Sequence, residues 1–319
     1  MAEPRLRSIG PNAPGSAVLP DRTDDFSHLD GAGRAVAALA GRPRAAVYAA
    51  LVLLIATSWA VLGMMAIELA RVSAPDAVGP GAALLGWLPR VEWPAGLAWF
   101  VQLCAQPVEA GAGRAGRFFA LAAMWFLMSL AMMLPSAAPM MRTYCEIADT
   151  ARAGAKPVVH PIVLLAGYLA VWLVACLAFA GLTAIVSFLS PQAGLAPARG
   201  AAGAGALAIA GFYQFSGLKD ACLTRCRDPF STLFARWSDR PAAVFRLGLA
   251  QGVWCLGCCW ALMLVMFAVG IMNPFWMALL AVFALVEKQA TGRKFQHVSG
   301  AILLVWAGAL LVVSMESGA

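Results

Sequence analysis

Five stretches of this chain run for about 20 residues with scarcely a charge, near positions 45–70, 117–141, 161–189, 246–271 and 298–315, and about 20 apolar residues is what one helical crossing of a bilayer needs. Inside hydrocarbon every backbone N–H and C=O must find its partner within the chain, so such runs fold as helices and not as open sheet. Two weaker runs extend the series. Residues 200–215 are rich in Gly and Ala, with Gly200, Ala204 and Ala208 forming a small-xxx-small ridge of the kind that lets membrane helices approach closely. Residues 273–287 are short for a crossing, but Pro274 suits a helical first turn and the run behind it is apolar. The expectation is an all-α, polytopic membrane protein of about seven transmembrane helices.

Charge sets its orientation. Of 23 Lys and Arg, only Arg71, Arg90, Arg114, Arg117 and Arg199 fall on one side of the seven-helix arrangement. The others precede the first helix or cluster at 142–156, 219–246 and 288–294, and cytoplasmic loops are the ones that collect Lys and Arg. The N-terminus is therefore expected in the cytoplasm and the C-terminus outside, in a multi-pass protein of the bacterial inner membrane. The formal charge of +7 in a chain that is 61% hydrophobic and 12% charged points to this loop asymmetry and not to nucleic acid. Residues 1–44 read as a polar cytoplasmic tail, disordered by composition; 45–70 is the first membrane helix; 71–116 is an extracytoplasmic loop; 117–316 is a six-helix membrane domain. Within the loop, Trp93, Trp99 and Phe100 stand in a nearly uncharged section that suits the membrane interface.

Sulfur is the chemical signature. In Trp254-Cys255-Leu256-Gly257-Cys258-Cys259-Trp260, an advance of about 100° per residue gathers Cys255, Cys258 and Cys259 into one arc of roughly 100°. The run from Met124 to Met141 repeats methionine at Met124, Met128 and Met132, with Met133 adjoining. It also carries Pro135 and Pro139, which free carbonyls that neighbours must satisfy. Cys222 and Cys226 are four apart, on one side of a continuing helix, with Lys219, Arg225 and Arg227 nearby to favour thiolates. Thiolates and thioethers are the soft ligands that select Cu(I). Each feature also has a plain reading, because free cysteine and methionine are ordinary core fillers. Of eight cysteines only Cys104 falls on the outer side, so no extracytoplasmic disulfide framework is expected.

Other chemistries lack their residues. With only His28, His160 and His297, there is no zinc-protease motif, no histidine pair for an intramembrane haem, no Ser/His/Asp set and no phosphate-binding glycine loop. No nucleotide or haem is expected, and a conventional enzyme is disfavoured. Glu287, beside Lys288, is either a functional buried carboxylate or one that reaches the interface.

Taken together, Trp125 to Pro139, Tyr213-Gln214 through Lys219, Cys222 and Cys226, Gly257-Cys258-Cys259-Trp260 with Met263, and Glu287-Lys288 resemble the bacterial membrane family called domain of unknown function 2182. That resemblance spans roughly residues 118–290 and implies a metal-binding integral membrane protein, without supplying a reaction. Spacing and softness suggest the ligands. Cys222 and Cys226 would receive Cu(I) at the cytoplasmic face, and Cys255, Cys258, Cys259, Met128, Met132 and Met133 would hold it within the bilayer. The partners expected are the lipid bilayer and a metal donor or another membrane complex. Two other classes stay open: a non-catalytic assembly factor or accessory subunit, and a membrane thiol oxidoreductase.

Overall fold

The computed structural model describes residues 43–72, 113–189, 201–271, 273–290 and 292–316. All nine elements among them are helices: α1 (Pro43–Val72), α2 (Arg114–Ala153), α3 (Pro161–Leu189), α4 (Ala201–Gln214), α5 (Gly217–Arg227), α6 (Pro229–Ala235), α7 (Pro241–Val269), α8 (Pro274–Gln289) and α9 (Lys294–Glu316). The N-terminal tail, most of the 71–116 loop with Cys104, and Gly200 of the expected ridge lie outside the described residues.

Helices α1, α2, α3, α7 and α9 have the length and apolarity to cross a membrane. The two weaker runs are helical as well but shorter, 14 residues in α4 and 16 in α8. At 1.5 Å per residue that is about 21 and 24 Å, less than a hydrocarbon core of about 30 Å.

Helix α2 is the spine, 40 residues long, and it carries Pro135 and Pro139 in its interior. Pro135 has no N–H to give to the Ala131 carbonyl. The Trp59 indole of α1 supplies the missing donor at 3.1 Å. Further along, Trp125 stacks on Phe179 of α3 and Phe267 of α7 with ring centroids at 4.9 and 5.5 Å, and its Nε1 donates to Thr183 Oγ1 at 2.9 Å. One tryptophan thus ties three helices together.

Backbone meets backbone between α3 and α7. A Cβ placed on Gly248 would lie 3.1 Å from the Gly167 Cα and would strike the Leu164 carbonyl, and one on Gly252 would lie 2.9 Å from the Val171 Cβ. Gly248 and Gly252 form a Gly-xxx-Gly pair, the motif that brings membrane helices into close van der Waals contact. Helix α4 also packs closely on α9, because a Cβ on Gly211 would lie 2.8 Å from Leu304 Cγ and one on Gly300 would lie 2.8 Å from Gln214 Cβ.

The reversal between α7 and α8 fixes the register of the candidate site. Gly270 ends α7 at φ 105°, a conformation L side chains rarely adopt. Asn273 then caps α8, its Oδ1 accepting from the Phe275 and Trp276 N–H groups at 3.1 and 3.4 Å, with Pro274 at the expected first turn. Cys255 lies about 15 residues before this turn and Lys288 about 15 after it, so equal rise sets them level on adjacent antiparallel helices.

Candidate metal centre

The arc expected for α7 is present: Cys255, Cys258 and Cys259 are all buried on its inner face. Cys222 and Cys226 sit on α5, a separate helix and not a continuation of α4, which begins afresh at a Ser216 cap whose Oγ accepts from the Lys219 N–H at 3.1 Å. The spacing of Lys219, Cys222, Leu223 and Cys226 at i, i+3, i+4 and i+7 places them on one helical face. The first three are buried.

Sequence spacing alone suggested two stations, one at the membrane edge and one inside it. The structure joins them. Cys226 Sγ lies 3.9 Å from Cys258 Sγ, and Cys258 Sγ lies 3.2 Å from Cys259 Sγ. Gly257 is what lets α5 come this near: a Cβ there would stand 2.5 Å from Cys222 Sγ. The Gly257 carbonyl accepts from the Tyr213 hydroxyl, and Tyr213 packs edge-on against Trp260 at 5.0 Å. Cys226, Cys258 and Cys259 thus form a run of sulfur contacts between α5 and α7, which Cys255 joins through the bond from Cys258 Sγ to its carbonyl at 3.1 Å and which Cys222 flanks beside Gly257.

Cys255, at one end of the patch, belongs to a closed polar circuit. Lys288 Nζ of α8 donates to Cys255 Sγ at 3.1 Å and to Ser136 Oγ at 2.6 Å. Ser136 Oγ donates to the Met133 carbonyl at 2.7 Å, and the Tyr168 hydroxyl of α3 closes the ring, 3.3 Å from that carbonyl and 3.1 Å from Cys255 Sγ. The circuit uses a backbone oxygen two residues before Pro135 of α2. Four helices thereby converge on one sulfur.

The expected thiolate-favouring cations are committed elsewhere. Lys219 Nζ is 2.9 Å from Glu287 Oε2, with both side chains 1% exposed. Arg227 donates to the Glu287 backbone carbonyl at 2.9 Å, and the Arg225 guanidinium stands over the Trp254 ring at 5.9 Å. Burial pushes the Cys222 thiol above its ordinary pKa, opposite to the direction expected from its basic neighbours. The cation that does reach sulfur is Lys288, which sequence reasoning mentioned only as the neighbour of Glu287.

Met128, Met132 and Met133 are buried in the core, and Met133 joins the circuit through its carbonyl. Cys145 and Cys176 are buried free thiols outside the chain of contacts described above. Among the described residues no three His, Cys, Asp or Glu side chains stand as a preformed metal cage. The donors are paired thiols held in hydrogen bonds, and ligation requires them to turn from one another toward an ion. They are soft, and all but the half-buried Cys226 are buried, while the Glu287 carboxylate of α8 is held by Lys219.

What these features define is an all-helical protein with five helices of membrane-crossing character and a buried thiol patch at the junction of α5, α7 and α8. The chain belongs to the copper chaperone family PpoB2, whose match spans residues 122–310. That span holds every residue of the patch and of the polar circuit, and it establishes a copper-related role. The label domain of unknown function 2182 is not the name this match carries. No curated protein and no solved structure matches the chain.

Proposed function

We propose that this protein is a membrane-embedded carrier of Cu(I), which it receives and hands on through Cys222, Cys226, Cys255, Cys258 and Cys259, with the buried thioethers of Met128, Met132 and Met133 as further soft donors. The observation that carries this reading is the 3.9 Å approach of Cys226 Sγ to Cys258 Sγ, which joins the expected pair on α5 to the expected trio on α7 in one path. Soft sulfur donors favour Cu(I) over oxygen-seeking ions. Each thiol that binds the ion loses one proton, and the thiol-to-thiol hydrogen bonds give way to copper–sulfur bonds. A metal donor at the cytoplasmic side and an acceptor beyond it follow from a carrier's role.

The same reading places the chain in a bacterial cytoplasmic membrane, N-terminus inside, with α4 and α8 as the short members of seven crossings. The asymmetry of Lys and Arg supports it. The test is the copper content of detergent-purified protein after Cu(I) supplementation, wild type beside Cys255→Ala/Cys258→Ala/Cys259→Ala. Near-stoichiometric copper lost in a variant that still inserts is the expected result. Equal copper in both, or none in well-folded wild type, refutes it.

A further inference from the structure

The Lys288 ammonium is an unusual neighbour for a metal-binding thiol patch. It is fixed from two sides, by Cys255 Sγ at 3.1 Å and Ser136 Oγ at 2.6 Å. Its sequence neighbour Glu287 is bound to Lys219 at 2.9 Å, and among the described residues no carboxylate lies within ion-pair distance of Lys288 Nζ. The Lys288 amine is thus held at the edge of the sulfur patch, in surroundings of low dielectric where charges interact strongly.

We propose that Lys288 is a built-in counter-charge that makes the thiol patch selective for a monovalent soft cation over a divalent one. This rests on the thiol patch being the metal site. Two thiolates and one ammonium carry a net charge of −1, which a monovalent ion cancels and a divalent ion overshoots. Without the ammonium the same two thiolates are neutralised by a divalent ion and left charged by a monovalent one. A buried uncompensated charge is costly, so one lysine reverses which cation leaves the site neutral. Two unit charges about 5–6 Å apart at an effective dielectric near 20 interact strongly enough to shift the preference on the order of a hundredfold. Lys288 is here a positioning and selectivity residue. Its contact with Cys255 also aims that sulfur, and Ser136 in turn aims the lysine.

Ag(I) and Cd(II) are the probes that isolate charge, since both are thiophilic and have the same electron count but differ by one unit of charge. Full-length protein in detergent is titrated with each ion under chelator competition, and the cadmium–thiolate absorption in the ultraviolet reports ligation directly. Wild type sets the reference ratio of the two association constants. Lys288→Met is expected to move that ratio toward Cd(II) on the order of a hundredfold, with the cadmium–thiolate band appearing at concentrations where wild type shows none. Lys288→Arg is expected to stay within a few-fold of wild type. Lys288→Gln, neutral but still a donor for Ser136, is the second variant should the methionine form not survive purification. A ratio unchanged in a folded neutral variant overturns the proposal. Failure of wild type to bind either ion at these cysteines would instead overturn the copper-carrier reading beneath it.

Discussion

Breaking the buried pair Lys219–Glu287 tests the packing on which the site depends. The ions are 2.9 Å apart with 1% of each side chain exposed, so their attraction at an effective dielectric near 20 is about 6 kcal/mol. Desolvation costs several kcal/mol per ion, which leaves the intact pair near break-even. Removing one partner is different, because the other stays buried and charged. Glu287→Leu should therefore cost about 3–5 kcal/mol. Lys219→Leu/Glu287→Leu should return most of that loss, and the two single effects should fall short of additivity by at least about 3 kcal/mol. The Arg227 bond is made to the Glu287 backbone carbonyl and survives in both variants. The assay is unfolding in mixed micelles by titration with dodecyl sulfate, followed by tryptophan fluorescence. A Glu287→Leu protein within about 1 kcal/mol of wild type, or a double variant no better than the single, would refute the reasoning. The pair also has a consequence for the site: it clamps α5, which carries Cys222 and Cys226, onto α8, which carries Lys288. Loss of the clamp should loosen both ends of the patch together.

Two further outcomes follow from the geometry. Gly257→Ala puts a methyl group 2.5 Å from Cys222 Sγ, so α5 must move away from α7; the expected results are a stability loss of about 1–3 kcal/mol and a fall in oxidative cross-linking between Cys226 and Cys258, read by mass spectrometry, and unchanged cross-linking would count against the packing. Because burial raises the Cys222 pKa, its thiolate fraction near neutral pH is below that of a free thiol and grows only as pH climbs past the ordinary thiol range near 8.5. Its alkylation, mapped by peptide mass spectrometry, should accordingly reach half-maximal rate at higher pH than a cysteine-containing reference peptide, whereas a lower midpoint would reinstate thiolate stabilisation by the basic residues of α5.

What the sequence could disclose was whatever periodicity and composition encode locally. Long uncharged runs mark helices because hydrocarbon forbids other backbone solutions, and the arc of Cys255, Cys258 and Cys259 follows from helical rotation alone. Gly248 and Gly252 stand in the same apolar run as a Gly-xxx-Gly pair, but their packing against α3 was not among the expectations. The partnership of Lys288 with Cys255 was of another kind. It depends on where the chain reverses, and that is set by the positive φ of Gly270 and the Asn273 cap, features that fix a register between two helices without altering the pattern of either. The fate of Lys219 was hidden for the same reason: beside two cysteines in sequence, it turns instead to a glutamate 68 residues away, because a buried ammonium gains more from a carboxylate than from a neutral thiol. Proline pointed most directly at the site. Pro135 and Pro139 free the carbonyls of Ala131 and Pro135 on α2; Trp59 meets the first, and the Met133 carbonyl that lies between them accepts from Ser136 and Tyr168. The polar groups gathered on this proline-containing segment are the ones that hold Cys255 and Lys288 together, so the proline segment of α2 and the chemistry proposed on α7 share one framework.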